Sequence, residues 1–191
     1  EKNFIEKEDF DKLIKTLEKQ EEYQMIAYLM LSYHTGARRS EIAQMKKEYF
    51  NMPKVKGKDY YTSPYIRGKG AGKAGKKIKL VYGEEARQAV LKWLEVRGED
   101  DCEYVFVRKF KNGRVEPLKP SAFNGWFTDK FNDIVGYHLT PHAIRRSRAT
   151  HLVTQEGKDI NSAKVLLNHN SAETTQIYVM KDDSDELDDI F

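Results

Sequence analysis

The side chains with the most chemical potential crowd between Thr140 and Tyr178. There the chain reads TPHAIRRSRATHLV, a glycine-containing break, a short apolar segment ending LLNHNS, and AETTQIYVM. Thr140 reads as an N-cap and Pro141 as the first helical residue, which puts His142, Arg145, Arg146 and Ala149 on one helical face. A basic stripe of this kind faces something negative. Arginine forks match phosphate oxygens, and a tyrosine hydroxyl such as that of Tyr178 can attack phosphorus once its proton has a route away. A phenol has a pKa of ~10, so only about a thousandth is ionised at pH 7, and the attack needs proton removal together with donors for the developing charge. His151 falls on the far side of its helix, as a structural or surface residue. His138 and His142 stand four apart, but Thr140-Pro141 breaks the helix between them and no Asp, Glu or Cys stands at ligand spacing, so no metal site is expected.

The elements that must position these groups are mostly helical. Phe10, Leu13, Ile14 and Leu17 place one buried stripe on a helix from Lys7 to Gln20. From Tyr23 to Tyr33 nearly every residue is apolar or aromatic, as in a helix buried on most sides, and Gly36 can cap it. The stretch Thr35-Gly36-Ala37-Arg38-Arg39-Ser40-Glu41-Ile42 then turns into a new helix, with Arg38 at its mouth and Ile42 and Met45 toward the core. Taken alone, Arg38 is a solvated turn residue. A helix from Glu84 to Val96 stops at Gly98, Val105-Phe106-Val107 reads as a short strand, and Asn112-Gly113 marks a turn. Ser121 is expected to cap a helix with Phe123, Trp126, Phe127, Phe131 and Ile134 on its apolar face. A buried helix from Asp159 to Leu167 would present Asn168 and His169, and Ser171 would cap the helix carrying Tyr178.

Residues 59–67 and 77–82 are β-rich and flank a Gly/Lys-dense segment from Gly68 to Gly75, which predicts one hairpin with a basic tip. Gly70 to Lys77 nearly matches the GxxxxGK phosphate loop. However, Lys77 stands where Ser or Thr should hold magnesium, and a strand follows instead of a helix, so a nucleotide site is not expected. Lys69, between Gly68 and Gly70, is either a solvated turn lysine or one presented to a leaving group.

With 191 residues, 39% hydrophobic and 33% charged, the chain can fill one core, and a net charge of +3 alone selects no partner. The distribution is more informative. Between Lys54 and Lys79 there are nine basic residues against one acid, Asp59, whereas after Tyr178 six acids accompany only Lys181. Cys102 is alone, which excludes a disulfide framework or thiolate metal site and fits a reducing cytoplasm. No apolar run approaches membrane-spanning length, so no membrane partner is expected. The first residue is Glu1 with no initiator Met, which suggests a piece of a longer protein.

Read together, Thr35-Gly36-x-Arg38-x-Ser40-Glu41, the Gly-Lys69-Gly hairpin, His142-x-x-Arg145, Leu167-x-His169 and Tyr178 nine residues later resemble the tyrosine recombinase (phage integrase) family. The resemblance runs from about Glu8 to Val179 and implies a mainly α fold with a small antiparallel β-sheet (α+β) carrying the lysine. It further implies that Arg38, Lys69, His142, Arg145 and His169 surround a scissile phosphate that Tyr178 attacks, leaving a 3′-phosphotyrosyl bond without ATP, metal or other cofactor. Asn168 departs from the family's usual Gly, Arg146 from a common second His, and the loop after Lys69 is longer than in common members, which leaves Lys73 as a rival; Lys69 is preferred because it directly follows the strand.

The expectation is a catalytic domain over residues 1–180 and an acidic tail over 181–191, with the family's N-terminal core-binding domain absent. Double-stranded DNA is the expected partner, contacted also by Lys73, Lys76, Lys77 and Arg146, and the full-length protein is expected to act as a homo-oligomer, a tetramer, on nucleoid DNA in the cytoplasm. The tail is either solvated or docks Leu187, Ile190 and Phe191 on its own or a neighbouring protomer, allowing tail exchange. Site-specific recombination, as in the integrase of a mobile element or virus, is the leading reading. The alternatives are a DNA-relaxing or hairpin-forming tyrosine transesterase, and a non-catalytic DNA-binding module with the same fold.

Overall fold

The computed structural model describes residues 4–70, 72, 75–154 and 190. Helix α1 (Lys7–Lys19) buries Phe10, Leu13 and Leu17, the stripe its spacing demands. Helix α2 (Tyr23–Thr35) is buried without interruption from Ile26 to Thr35 and ends on Gly36, whose φ of 67° is the left-handed cap that a glycine adopts at least cost. α2 is the spine. It packs most extensively on α4 (Glu84–Arg97) and α7 (Pro141–Thr154) and also contacts α1. Tyr28, near its centre, stacks on Phe123 with ring centroids 4.4 Å apart and meets Phe106, Trp126 and Phe127 edge-on.

Helix α7 presents two chemically distinct faces. Ala143, Ile144, Ser147, Arg148 and His151 are buried, whereas His142 and Arg146 are exposed. Tyr33 Oη and His151 Nδ1 are hydrogen-bonded at 2.6 Å, and the Arg148 guanidinium lies 5.5 Å from the Tyr33 ring centre. Ser147 Oγ donates to the Ala143 carbonyl at 2.6 Å and accepts the Ile5 N–H at 2.8 Å, so the segment before α1 is fastened to the same helix. His151 is therefore a core residue, in keeping with its expected place away from the basic face.

The short helix α3 (Arg39–Ile42) follows the Gly36 turn, with Ile42 and Met45 fully buried as anticipated. The predicted single hairpin is divided into two ladders. β1 (Tyr61–Thr62) pairs with β4 (Val81–Tyr82), and β2 (Ile66–Gly68) with β3 (Lys76–Ile78), both antiparallel. Pro64, which has no N–H to donate, interrupts the ladder, and Ser63 bridges the gap: its N–H donates to the Leu80 carbonyl and its Oγ accepts the Leu80 N–H, each at 2.9 Å. A second hairpin, β5 (Val107–Lys109) with β6 (Val115–Pro117), turns at Asn112-Gly113.

Two local expectations need correction. The strand expected at Val105–Val107 begins only at Val107, because the Val105 N–H is taken by the Met45 carbonyl at 2.9 Å. Ser121 has helical backbone angles and makes no capping bond. The Lys119 and Pro120 carbonyls already receive the N–H groups of Ala122 and Phe123, and the hydroxyl is not needed. The aromatic helix is α5 (Ala122–Trp126), a π turn (Phe127–Phe131) and α6 (Asn132–Val135), and it aligns Phe123, Phe127 and Phe131 on one buried line. Among the described residues no helix is long and apolar enough to cross a membrane.

Buried His34 makes the fold acid-sensitive. Burial, followed by the charges of Arg148 and Lys7, pushes its pKa down to about 3. Glu85 stands 3.6 Å from its Nε2, but that carboxylate side chain is 74% exposed and its pull is weak. The unfolded chain therefore binds a proton near pH 6.5 that the folded chain refuses, and stability falls as pH drops below that value. Thermal unfolding should show the midpoint falling from pH 6.5 to 4, with a shallower fall in His34→Gln.

Candidate active site

Arg38 occupies the extended residue before α3 (φ −77°, ψ 155°), directly beyond the Gly36 turn. Glu41, three residues on, is completely buried beneath it. Its Oε1 accepts the Arg38 N–H at 2.9 Å, and its Oε2 lies 3.6 Å from Arg38 Nη1. Burial raises the carboxyl pKa of Glu41, opposed by Arg38 through its N–H and charge and by the charge of Arg145. Arg38 Nη1 is itself buried and has no hydrogen-bond partner among the described residues. A buried guanidinium donor of this kind suits an anionic acceptor.

The N-terminus of α7 supplies the opposing groups. Thr140 Oγ1 accepts the Ala143 N–H at 3.3 Å, the cap expected before Pro141. Arg145, half-buried one turn further, has its pKa lowered chiefly by burial and then by Arg38, while Glu41 holds it up. His142 is lowered chiefly by partial burial, then by Arg146, Arg145 and Arg38. The charge of Arg38, over a hundred residues upstream, acts on both His142 and Arg145, so the three share one electrostatic neighbourhood. An imidazole held below its ordinary value of about 6.5 is neutral at pH 7, so His142 can accept a proton there.

Lys69 directly follows β2 and is exposed. It shares with Arg38 a cleft of about 790 Å³, whose walls also include Arg67, Tyr104 and Lys119. A smaller groove of about 410 Å³ shares Arg67 with it and is lined by Lys46, Lys76 and Lys77 beside Tyr49, Tyr65 and Tyr104. No acidic residue is among the described linings of either. The structure thus brings Arg38, His142 and Arg145 together, sets Arg146 beside them, and puts Lys69, Lys76 and Lys77 on adjoining walls. Lys73, His169, Tyr178, Asn168, Ser171 and the helix expected at 159–167 lie outside the described residues; of the tail, Ile190 is described and its side chain is buried.

Sequence reasoning passed over two participants. Glu41 was visible as part of the Arg-x-Ser-Glu stretch, and its i, i+3 relation to Arg38 could have flagged a capping carboxylate. Lys119 lies in a Leu-Lys-Pro segment whose place on the cleft wall depends on the β5–β6 hairpin folding back, and no local signal announces that.

The chain is 29% identical over 193 residues to the SPbeta prophage-derived recombinase-like protein YomM of Bacillus subtilis (strain 168), covering 100% of this chain and 57% of that protein. It is 34% identical over 151 residues to the tyrosine recombinase XerA of Pyrococcus horikoshii, across 78% of this chain and 48% of that one. The crystal structure of XerA recombinase superposes with a TM-score of 0.63 at 24% sequence identity, covering 98% of this chain and 63% of that chain. The chain spans about half the length of the curated relatives it matches. Its architecture is that of a tyrosine recombinase catalytic domain, mainly helical with small antiparallel sheets. The phage integrase family model matches residues 3–185, and with nearly the whole chain inside that match, this protein belongs to the phage integrase family.

Proposed function

We propose that residues 1–180 are the catalytic domain of a site-specific DNA recombinase that cleaves and rejoins strands through a tyrosine, with residues 181–191 as an acidic tail. The observation that carries this reading is the convergence of Arg38, Arg145 and a neutral His142 over the buried Glu41, beside a cleft with basic but no acidic described lining. Family membership adds the fold and the residue order. Similarity to a prophage-derived protein favours the integrase of a mobile element.

In this mechanism Arg38 and Arg145 grip the nonbridging oxygens of the scissile phosphate, and His169 donates a further hydrogen bond to them. His142 takes the proton of Tyr178 as the phenolic oxygen attacks phosphorus. The new Tyr178 O–P bond forms as the P–O5′ bond breaks, and the Lys69 ammonium gives its proton to the departing 5′-oxygen. The phosphodiester energy is conserved in the 3′-phosphotyrosyl bond, so a 5′-hydroxyl can reverse the step and reseal a strand. Double-stranded DNA is the substrate, with Lys76, Lys77, Lys73 and Arg146 holding the flanking backbone as phosphate contacts. The full-length protein works as a tetramer on paired sites, and the acidic tail is exchanged between its protomers.

The direct test is a nicked DNA substrate from which the 5′-fragment diffuses away after cleavage. Intact protein should accumulate a covalent adduct and Tyr178→Phe none. If no adduct forms, the fold serves as a DNA-binding module; an adduct that survives Tyr178→Phe overturns the assigned nucleophile. The same assay reads His142. Protonated imidazole cannot accept the tyrosine proton, so single-turnover cleavage should be flat above about pH 6.5 and fall below it. His142→Asn should lower the plateau roughly 10²-fold and abolish the limb. Arg146→Ala removes the strongest of the depressing charges and should move the limb to higher pH.

A further inference from the structure

The lysine hairpin and the arginine turn are joined by one side chain. Gln44 Nε2 donates to the Ser40 carbonyl at 3.0 Å and to the Arg67 carbonyl at 2.7 Å, while its Oε1 accepts the Arg67 N–H at 2.9 Å. Ser40 lies two residues after Arg38, and Arg67 two residues before Lys69. The carboxamide therefore ties backbone adjacent to one proposed site residue to backbone adjacent to the other. The pairing is specific to the position. In an antiparallel ladder every second residue of an edge strand turns both backbone groups outward. At Arg67, paired with Lys77, both outward groups meet Gln44, as if the side chain were a third strand one residue long.

β2 and β3 form only a two-stranded sheet of three residue pairs, a size that is marginal without support. Its core anchors are Ile66 and Ile78, at the end of the ladder away from Lys69. Gln44 fastens the ladder at its middle pair, next to the tip, and lines the cleft that Arg38 and Lys69 share. Neither an aliphatic nor a carboxylate side chain can reproduce its combined donor and acceptor pattern.

We infer that Gln44 is a positioning residue for the leaving-group step: it holds Lys69 at the depth from which its ammonium can protonate the 5′-oxygen as the P–O5′ bond breaks. This inference rests on the proposed role of Lys69. A displacement of about 1 Å in a catalytic group can cost about 10²-fold in rate, so losing the clamp should be felt at the proton and not at the phosphate oxygens.

The experiment compares two nicked DNA substrates, one with the ordinary scissile phosphate and one whose bridging 5′-oxygen is replaced by sulfur. A thiolate leaves without protonation, so a defect in the lysine step is suppressed on sulfur, whereas a defect in phosphate binding or folding is not. Gln44→Met should cleave the oxygen substrate roughly 10- to 100-fold more slowly than the unmodified protein and the sulfur substrate at nearly the unmodified rate. Gln44→Glu keeps the acceptor for the Arg67 N–H but loses the donor, and should lie between. Lys69→Ala is the reference. If it is rescued by sulfur and Gln44→Met is not, the inference is overturned alone. If Lys69→Ala is equally slow on both substrates, the acid role of Lys69 falls and the inference with it. Equal rates for Gln44→Met and the unmodified protein on oxygen also overturn it. A variant that misfolds is slow on both substrates, which counts against the inference unless Gln44→Glu, with an unchanged thermal midpoint, shows the sulfur rescue.

Discussion

The buried carboxylate of Glu41 is the constraint on which the site is built. Removing an ionised carboxylate from water is costly unless it is paired and hydrogen-bonded. Here the Arg38 N–H, the Arg38 guanidinium and the charge of Arg145 offset part of that cost, while burial still holds the Glu41 pKa above its ordinary value and leaves its Oε2 without a hydrogen bond among the described residues. The relation works in both directions, because Arg38 and Arg145 each disfavour the other's charge and Glu41 offsets the repulsion. One carboxylate against two guanidiniums leaves a net positive centre. In the proposed function, a phosphodiester anion between the arginines would complete the charge balance, the kind of preorganisation that electrostatic catalysis of phosphoryl transfer relies on.

That centre exists only because α2 joins distant segments. Its C-terminal cap at Gly36 turns the chain so that Arg38 heads α3, while Tyr33, one turn earlier, is hydrogen-bonded to His151 on the buried face of α7. With His151 held inward, the other side of α7 carries His142, and Arg145 lies between the two sides within the field of Arg38. Packing on one face thereby sets chemistry on the other. The Ile5 N–H to Ser147 bond lets the segment entering α1 lean on the same helix.

Much of this was legible in the sequence, for physical reasons. Helical periodicity located α1, α2, α4 and α7, and the Gly36, Thr140-Pro141 and Asn112-Gly113 signals located their ends and a hairpin, because backbone geometry there depends on local chemistry. Arg38, His142 and Arg145 were identifiable as a set only through their order along the chain. Long-range backbone partners were not legible: Met45 taking the Val105 N–H shifted a strand, and Pro64 with Ser63 split one hairpin into two ladders. The complete burial of Glu41 depends on tertiary packing that no local signal announces.

The measurement that reaches the central claim is cleavage of DNA with a methylphosphonate at the scissile position, where one charged nonbridging oxygen is replaced by a neutral methyl. If Arg38 and Arg145 act by neutralising phosphate charge, Arg145→Ala should lose about 10²–10³-fold in covalent adduct formation on the phosphodiester and recover most of it on the methylphosphonate. An Arg145→Ala protein equally inactive on both, although folded, would contradict the account.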